Sequence, residues 1–81
     1  MSRAAKILAK AEANPRGLRF AELRYLCDFI GMTARNPASS HVVYTHPRAR
    51  QPIPIQNDNG HAKGYQVRQV LQLIEDLEIE I

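Results

Sequence analysis

With 81 residues the chain has room for one domain and one compact core, so a deep, enclosed cofactor cavity is not expected. Its 44% hydrophobic content argues against global disorder, and a single cysteine, Cys27, excludes an internal disulfide framework or a cysteine-built zinc site. Net charge is +3, but four of the eight acids (Glu75, Asp76, Glu78, Glu80) lie in the last seven residues, which leaves residues 1–74 with 11 Lys and Arg against four acids, a net +7 that attracts polyanions.

The N-terminal segment alternates alanine with lysine and is no apolar leader, and no run approaches the roughly 20 apolar residues of a membrane span. A cytoplasmic protein without membrane contact is the expectation. Residues 2–13 place Ala4, Ile7, Leu8 and Ala11 at helical spacing, a weak helix that packs loosely or forms an extension. Asn14, Pro15, Arg16 and Gly17 end it. Phe20, Leu23, Leu26, Cys27 and Ile30 form a continuous helical stripe widened by Tyr25 and Phe29, with Gly31 as its C-terminal cap.

Three strands are predicted next. Residues 32–35 form a short one before an Asn36-Pro37 turn, and residues 40–46 a better one rich in strand formers. Residues 52–56 form the third. Pro52 and Pro54 remove donors from one side only, so that side must be a solvent-facing edge. Residues 57–60 (Asn-Asp-Asn-Gly) are a turn. A last helix over 64–77 has Val67, Val70, Leu71, Ile74 and Leu77 on one face and Gln66, Arg68, Gln69, Gln72 and Asp76 on the other, with residues 75–81 fraying. The fold class is α+β: a small two-layer domain, a three-stranded antiparallel sheet with helices on one face.

Histidine titrates near neutrality and can take up a proton and return it. His41 stands between Ser40 and Val42 in the second strand. If Val42 and Tyr44 face the core then His41 and Thr45 face outward, yet Val43 goes with them and the alternation does not decide. By residue type alone a strand histidine is more commonly structural. A metal site from His41, His46, Asp58 and His61 has no supporting helical spacing, and His41 and His46 have opposite strand parity. Cys27 belongs to the apolar stripe and reads as core, not nucleophile. Arg35 precedes the turn before His41, Lys63 opens the last helix where phosphate is attracted, and Tyr65 offers a ring for base stacking. No glycine-rich nucleotide loop is present, and no cofactor is expected.

Three segments together resemble the HicA toxins: residues 18–23 (Leu-Arg-Phe-Ala-Glu-Leu), residues 39–47 (Ser-Ser-His-Val-Val-Tyr-Thr-His-Pro) and residues 63–71 (Lys-Gly-Tyr-Gln-Val-Arg-Gln-Val-Leu). The resemblance spans residues 18–77. It implies a double-stranded-RNA-binding-domain-like fold, with residues 1–17 as an N-terminal helical extension and turn and 18–81 as the RNA-cleaving domain. It further implies a toxin of a type II toxin–antitoxin system that cleaves mRNA and is neutralised by a HicB-like antitoxin. The family motif reads Gly-Ser-His-His. Ser40 and His41 match it, so His41 takes the catalytic role, while Ser39 stands in place of the glycine and Val42 in place of the second histidine. The expected chemistry is metal-independent general acid–base catalysis by His41. Ser40 orients the substrate, Arg35 and Lys63 hold phosphate, and Tyr65 meets a base. The alternative from another class is a non-catalytic RNA-binding module on the same scaffold.

Overall fold

The computed structural model describes residues 2–81. Its elements are α1 (Arg3–Ala13), a 3-10 turn (Pro15–Gly17), α2 (Phe20–Phe29), β1 (Thr33–Arg35), β2 (His41–Thr45), β3 (Ile53–Asp58), β4 (His61–Ala62) and α3 (Gly64–Asp76). The strands form one antiparallel sheet in the order β1-β2-β3-β4. The class is α+β as expected, but the sheet has four strands where three were read from the sequence. The fourth arises at residues 57–60. Asn59 and Gly60 both have positive φ (52° and 87°), the handedness a two-residue hairpin loop needs, and Asn57 Oδ1 accepts from the Gly60 N–H at 2.7 Å. The chain therefore doubles back, pairing Asp58 with His61 and Asn57 with Ala62, before α3 begins. On its other side β4 is held by Leu18, whose carbonyl accepts from the Ala62 N–H at 3.0 Å.

The register settles the alternation that the sequence left open. Val42 and Tyr44 pair with Ile55 and Ile53, and all four are buried beneath the helices. His41, Val43 and Thr45 then lie on the opposite face with Pro54 and Gln56. β4 meets β3 only over Asn57 and Asp58, so the stretch carrying Pro52 and Pro54 keeps an unpaired edge, as the prolines require. The next N–H on that edge, from Gln56, is taken by the side chain of Gln66 at 2.7 Å. Helical spacing puts Gln66 on the polar face of the last helix; in the structure it is instead the buried polar residue of the core, and its amide completes the edge.

All three helices share the core with the sheet. Leu18, Leu23, Leu26 and Cys27 meet Val42, Tyr44, Ile55, Val67 and Val70, and α1 adds Ile7 and Ala11 to the same cluster. Fully buried Ala4 and Ala11 let α1 approach closely, so few large apolar residues suffice to seat it. Ser2 caps this helix by accepting from the Ala5 N–H at 3.1 Å. Tyr25 and Phe29 do not simply widen the buried stripe of α2. They stack at 6.5 Å, Phe29 is 50% exposed, and the Arg3 guanidinium sits 4.3 Å from the Tyr25 ring centre. No helix among the described residues is long and apolar enough to cross a membrane.

The helix ends are closed by local bonding. Gly31, at φ 90°, lets the Met32 N–H reach the Cys27 carbonyl at 3.1 Å and that of Gly31 reach Asp28 at 3.2 Å. The same motif ends α3, where the Ile79 N–H bonds the Ile74 carbonyl at 3.0 Å and Glu78 occupies the left-handed position at φ 52°. Residues 77–81 thus fold back, with Ile79 and Ile81 packed against the core, and the expected fraying is not seen. Arg48 fixes this end further by donating to the Leu77 carbonyl at 2.8 Å.

Replacing Glu78 with glycine removes the left-handed penalty and is expected to stabilise the fold by about 0.5–1 kcal/mol, read as a higher urea midpoint at constant slope. A second test concerns the tie between α1 and α2. Glu22 accepts from Lys10 Nζ at 2.8 Å and from the Arg19 N–H at 2.9 Å. Partial burial works against ionisation, but these bonds and the charges of Lys10 and Arg19 prevail and hold its carboxyl below the usual carboxylate range. A lowered folded-state value contributes stability above the ordinary glutamate value of 4.5 and loses it as pH falls through the lower one. The stability advantage of wild type over Glu22→Gln should therefore be full near neutrality and vanish in acid, seen in denaturant melts across that range.

Candidate functional site

The turn between β1 and β2 delivers His41 to the first position of β2, and bonding across residues 36–41 holds it there. Asn36 takes a left-handed conformation at φ 53°, and its carbonyl accepts from the Ser39 N–H at 2.9 Å. Ser39 Oγ accepts from the His41 N–H at 3.1 Å. The Ser40 carbonyl accepts from the Asn57 N–H at 2.8 Å, pinning the turn to β3. Val42, the next residue, is fully buried, so an imidazole there would enter the core.

The His41 side chain is exposed on the sheet face turned away from the helices. Ser40 Oγ lies 3.3 Å from its Nδ1. If the hydroxyl accepts there, Nδ1 carries the proton and Nε2 is a free acceptor; if it donates, Nε2 carries the proton. Nε2 has no hydrogen-bond partner among the described residues, so it is open to a ligand in either tautomer.

A buried tyrosine stands behind this turn. Tyr44, fully covered by the core, donates from its hydroxyl to Asp28 Oδ1 at 2.9 Å and accepts from Arg24 Nε at 3.3 Å. Arg24 in turn donates from Nη1 to the Pro37 carbonyl at 3.0 Å, which links α2 to the turn before His41. Burial raises the Tyr44 hydroxyl above its usual range despite the Arg24 bond, and Asp28 adds to the rise. The hydrogen bond that Arg24 donates to Tyr44 raises the guanidinium in turn. Both groups therefore keep these protonation states at neutral pH.

The other expected site residues are placed as follows. Arg35, exposed on β1, pairs with Val43 and shares the face of His41. Tyr65 is 57% exposed, and its hydroxyl accepts from Gln66 Nε2 at 3.2 Å. Since Gln66 also holds Gln56, the cross-strand partner of His41, Tyr65 is joined to the His41 strand pair through one buried amide. Lys63 occupies the cap position of α3. Neither Arg35 nor Lys63 bonds His41, and the ion pair between Lys10 and Glu22 is the one present among the described residues, so both cations are uncompensated by a bridging carboxylate.

Sequence reading missed Arg19 and weighed His61 only as a metal ligand. They face each other across an isolated antiparallel bridge beside β4, both exposed, and extend the basic surface past β3. The only sequence signal for this was the Asn59-Gly60 hairpin loop, which places His61 directly opposite Asp58.

His46 serves the scaffold. Its Nδ1 accepts from the Arg48 N–H at 3.1 Å, so Nε2 carries the proton and donates to the Ile30 carbonyl at 3.1 Å. No group of three or more His, Cys, Asp or Glu side chains is arranged to hold a metal among the described residues. Cys27 is fully buried, and burial, aided by Asp28, pushes its thiol up to about 12. A shallow groove of about 650 Å³ between α1 and the C-terminal turn, and another of about 430 Å³ beneath the β2–β3 hairpin, are lined by none of the expected site residues. The His41 face is open, a shape that suits an extended ligand lying across it.

Tyr44→Phe keeps the ring and removes both hydroxyl bonds. It should cost about 1–3 kcal/mol, with faster amide exchange over residues 36–41 as Arg24 loses its anchor. Urea melts and hydrogen exchange check both parts. No family model matches this chain, and no curated protein or solved structure matches it either, so its likeness to the HicA toxins rests on the three segments themselves.

Proposed function

We propose that the chain is an RNA-cleaving toxin of the HicA kind, with His41 as its catalytic residue and a HicB-like antitoxin as its partner. One observation carries the reading: an exposed strand histidine, tied at Nδ1 to a neighbouring hydroxyl and free at Nε2, on an open face that also bears Arg35. In such a site His41 exchanges a proton with the substrate, Ser40 selects the imidazole tautomer and orients the substrate, and Arg35 and Lys63 attract the phosphate. Tyr65 supplies a stacking surface.

The chemistry that fits is transesterification at a ribose. The 2′-hydroxyl loses its proton and attacks phosphorus, the bond to the 5′-oxygen breaks, and that oxygen is protonated, leaving a 2′,3′-cyclic phosphate and a free 5′-hydroxyl. All groups required are protein side chains and the RNA itself. A double-stranded-RNA-binding-domain-like scaffold agrees with a two-layer α+β domain whose helices occupy one face, and such scaffolds read RNA by shape, phosphate and 2′-hydroxyl contacts. An antitoxin would neutralise the protein by covering His41 with an acidic or closely packed surface.

A non-catalytic RNA-binding module could use the same basic face, and one variant separates the two. Purified protein should cleave RNA in the presence of chelator. His41→Ala should lose cleavage by about 10²–10⁴-fold while keeping most of its RNA affinity, as followed by gel and by fluorescence anisotropy. Equal cleavage by the two proteins would remove His41 from the chemistry, and RNA binding without cleavage by wild type would leave the binding module.

A further inference from the structure

The open face carries a second imidazole. His61 on β4 is the cross-strand partner of Asp58, and Asp58 stands two residues along β3 from Gln56, the partner of His41. Paired residues share a face, and so do residues two apart on one strand. His41 and His61 therefore project from the same side of the sheet, on either flank of β3, and both are exposed. Two inter-strand steps and a two-residue offset put their Cα atoms roughly 11–12 Å apart. That span allows two side chains to converge on one phosphodiester, each through a hydrogen bond of about 2.8 Å.

Cleavage at a ribose needs two proton transfers, at opposite ends of the reacting unit. A single imidazole would have to serve the 2′-oxygen and the departing 5′-oxygen in turn. We propose that His61 is the second proton-transfer residue of this face, so that His41 and His61 act as an acid–base pair. One imidazole takes the proton of the 2′-hydroxyl as its oxygen bonds to phosphorus. The other, as imidazolium, gives its proton to the 5′-oxygen as the phosphorus–oxygen bond breaks. Products are the cyclic phosphate and the 5′-hydroxyl end, and the pair is left with its protons exchanged. The charged neighbours of His61 are Asp58 across the strand pair, Arg19 across the bridge and Lys63 two residues on. Gln56 lies between the two imidazoles in register, where its amide can donate to a non-bridging phosphate oxygen.

This inference rests on the ribonuclease reading, and the test separates the two. Cleavage of a short RNA oligonucleotide is measured across pH for wild type, His41→Ala, His61→Ala and His61→Arg, with folding checked by circular dichroism and thermal melting. His61→Ala should lower kcat/KM by about 10²-fold or more, while the RNA Kd changes only a few-fold. It should also erase one limb of the bell-shaped pH profile. His61→Arg, which can contact phosphate but cannot exchange a proton near neutrality, should not restore the rate. If His61→Arg cleaves like wild type, His61 is only a phosphate contact and the pair is refuted. If His61→Ala cleaves normally while His41→Ala does not, the ribonuclease reading stands and the pair falls. If wild type does not cleave RNA at all, both fall together.

Discussion

Tyr44 is fully enclosed by the core, and an enclosed hydroxyl must find partners or cost the fold free energy on the order of 1–3 kcal/mol. Its partners, Asp28 and Arg24, both come from α2, so satisfying one buried oxygen fixes the position of that helix over β2. Arg24 then has a guanidinium nitrogen left over, and it spends this donor on the Pro37 carbonyl. The turn ahead of His41 is thereby set by the same contact that seats the helix. Strand parity does the rest: with Tyr44 and Val42 committed inward, His41 has only the outer face available.

Because every helix lies on one side, the other side of the sheet stays uncovered and collects polar side chains from four strands. Arg35, His41, Gln56, Asp58 and His61 come from separate stretches of sequence, and antiparallel pairing alone brings them onto one surface. The acidic C-terminal turn lies elsewhere, folded against α1 and α3, so it does not neutralise this surface directly. Charge separation along the chain thus becomes charge separation in space.

Much of this fold was legible because its signals are periodic. Phe20, Leu23, Leu26 and Cys27 mark α2, Gly31 marks its end, and Val67, Val70 and Ile74 mark α3. Pro52 and Pro54 mark a stretch left unpaired on one side, but β4 joins β3 beyond it, so β3 is not the edge strand that they suggest. What was not legible depends on partners remote in sequence. The run from His41 to Thr45 has apolar residues on both parities, and only the burial of Tyr44 and Val42 decides between them. Gln66 falls beside polar neighbours on a helical wheel, but the unpaired Gln56 N–H draws it inward. His61 and Ala62 are too few to show any pattern, and they form a strand because Leu18 bonds Ala62 on one side while the tight hairpin sets them in register with β3 on the other. The role of α1 was underestimated because alanines contribute little hydrophobicity, while their small size is what permits close packing.

The exposed margin of β3 has a consequence for how other chains can approach. Along Pro52 and Pro54 it offers acceptors without donors, and the Gln66 amide already occupies the next donor. An incoming strand would find no reciprocal ladder there, so neither amyloid-like stacking nor sheet extension by a foreign peptide can begin at that margin. Any chain that meets β3 along this stretch must instead lie flat over the sheet, meeting side chains and not main chain.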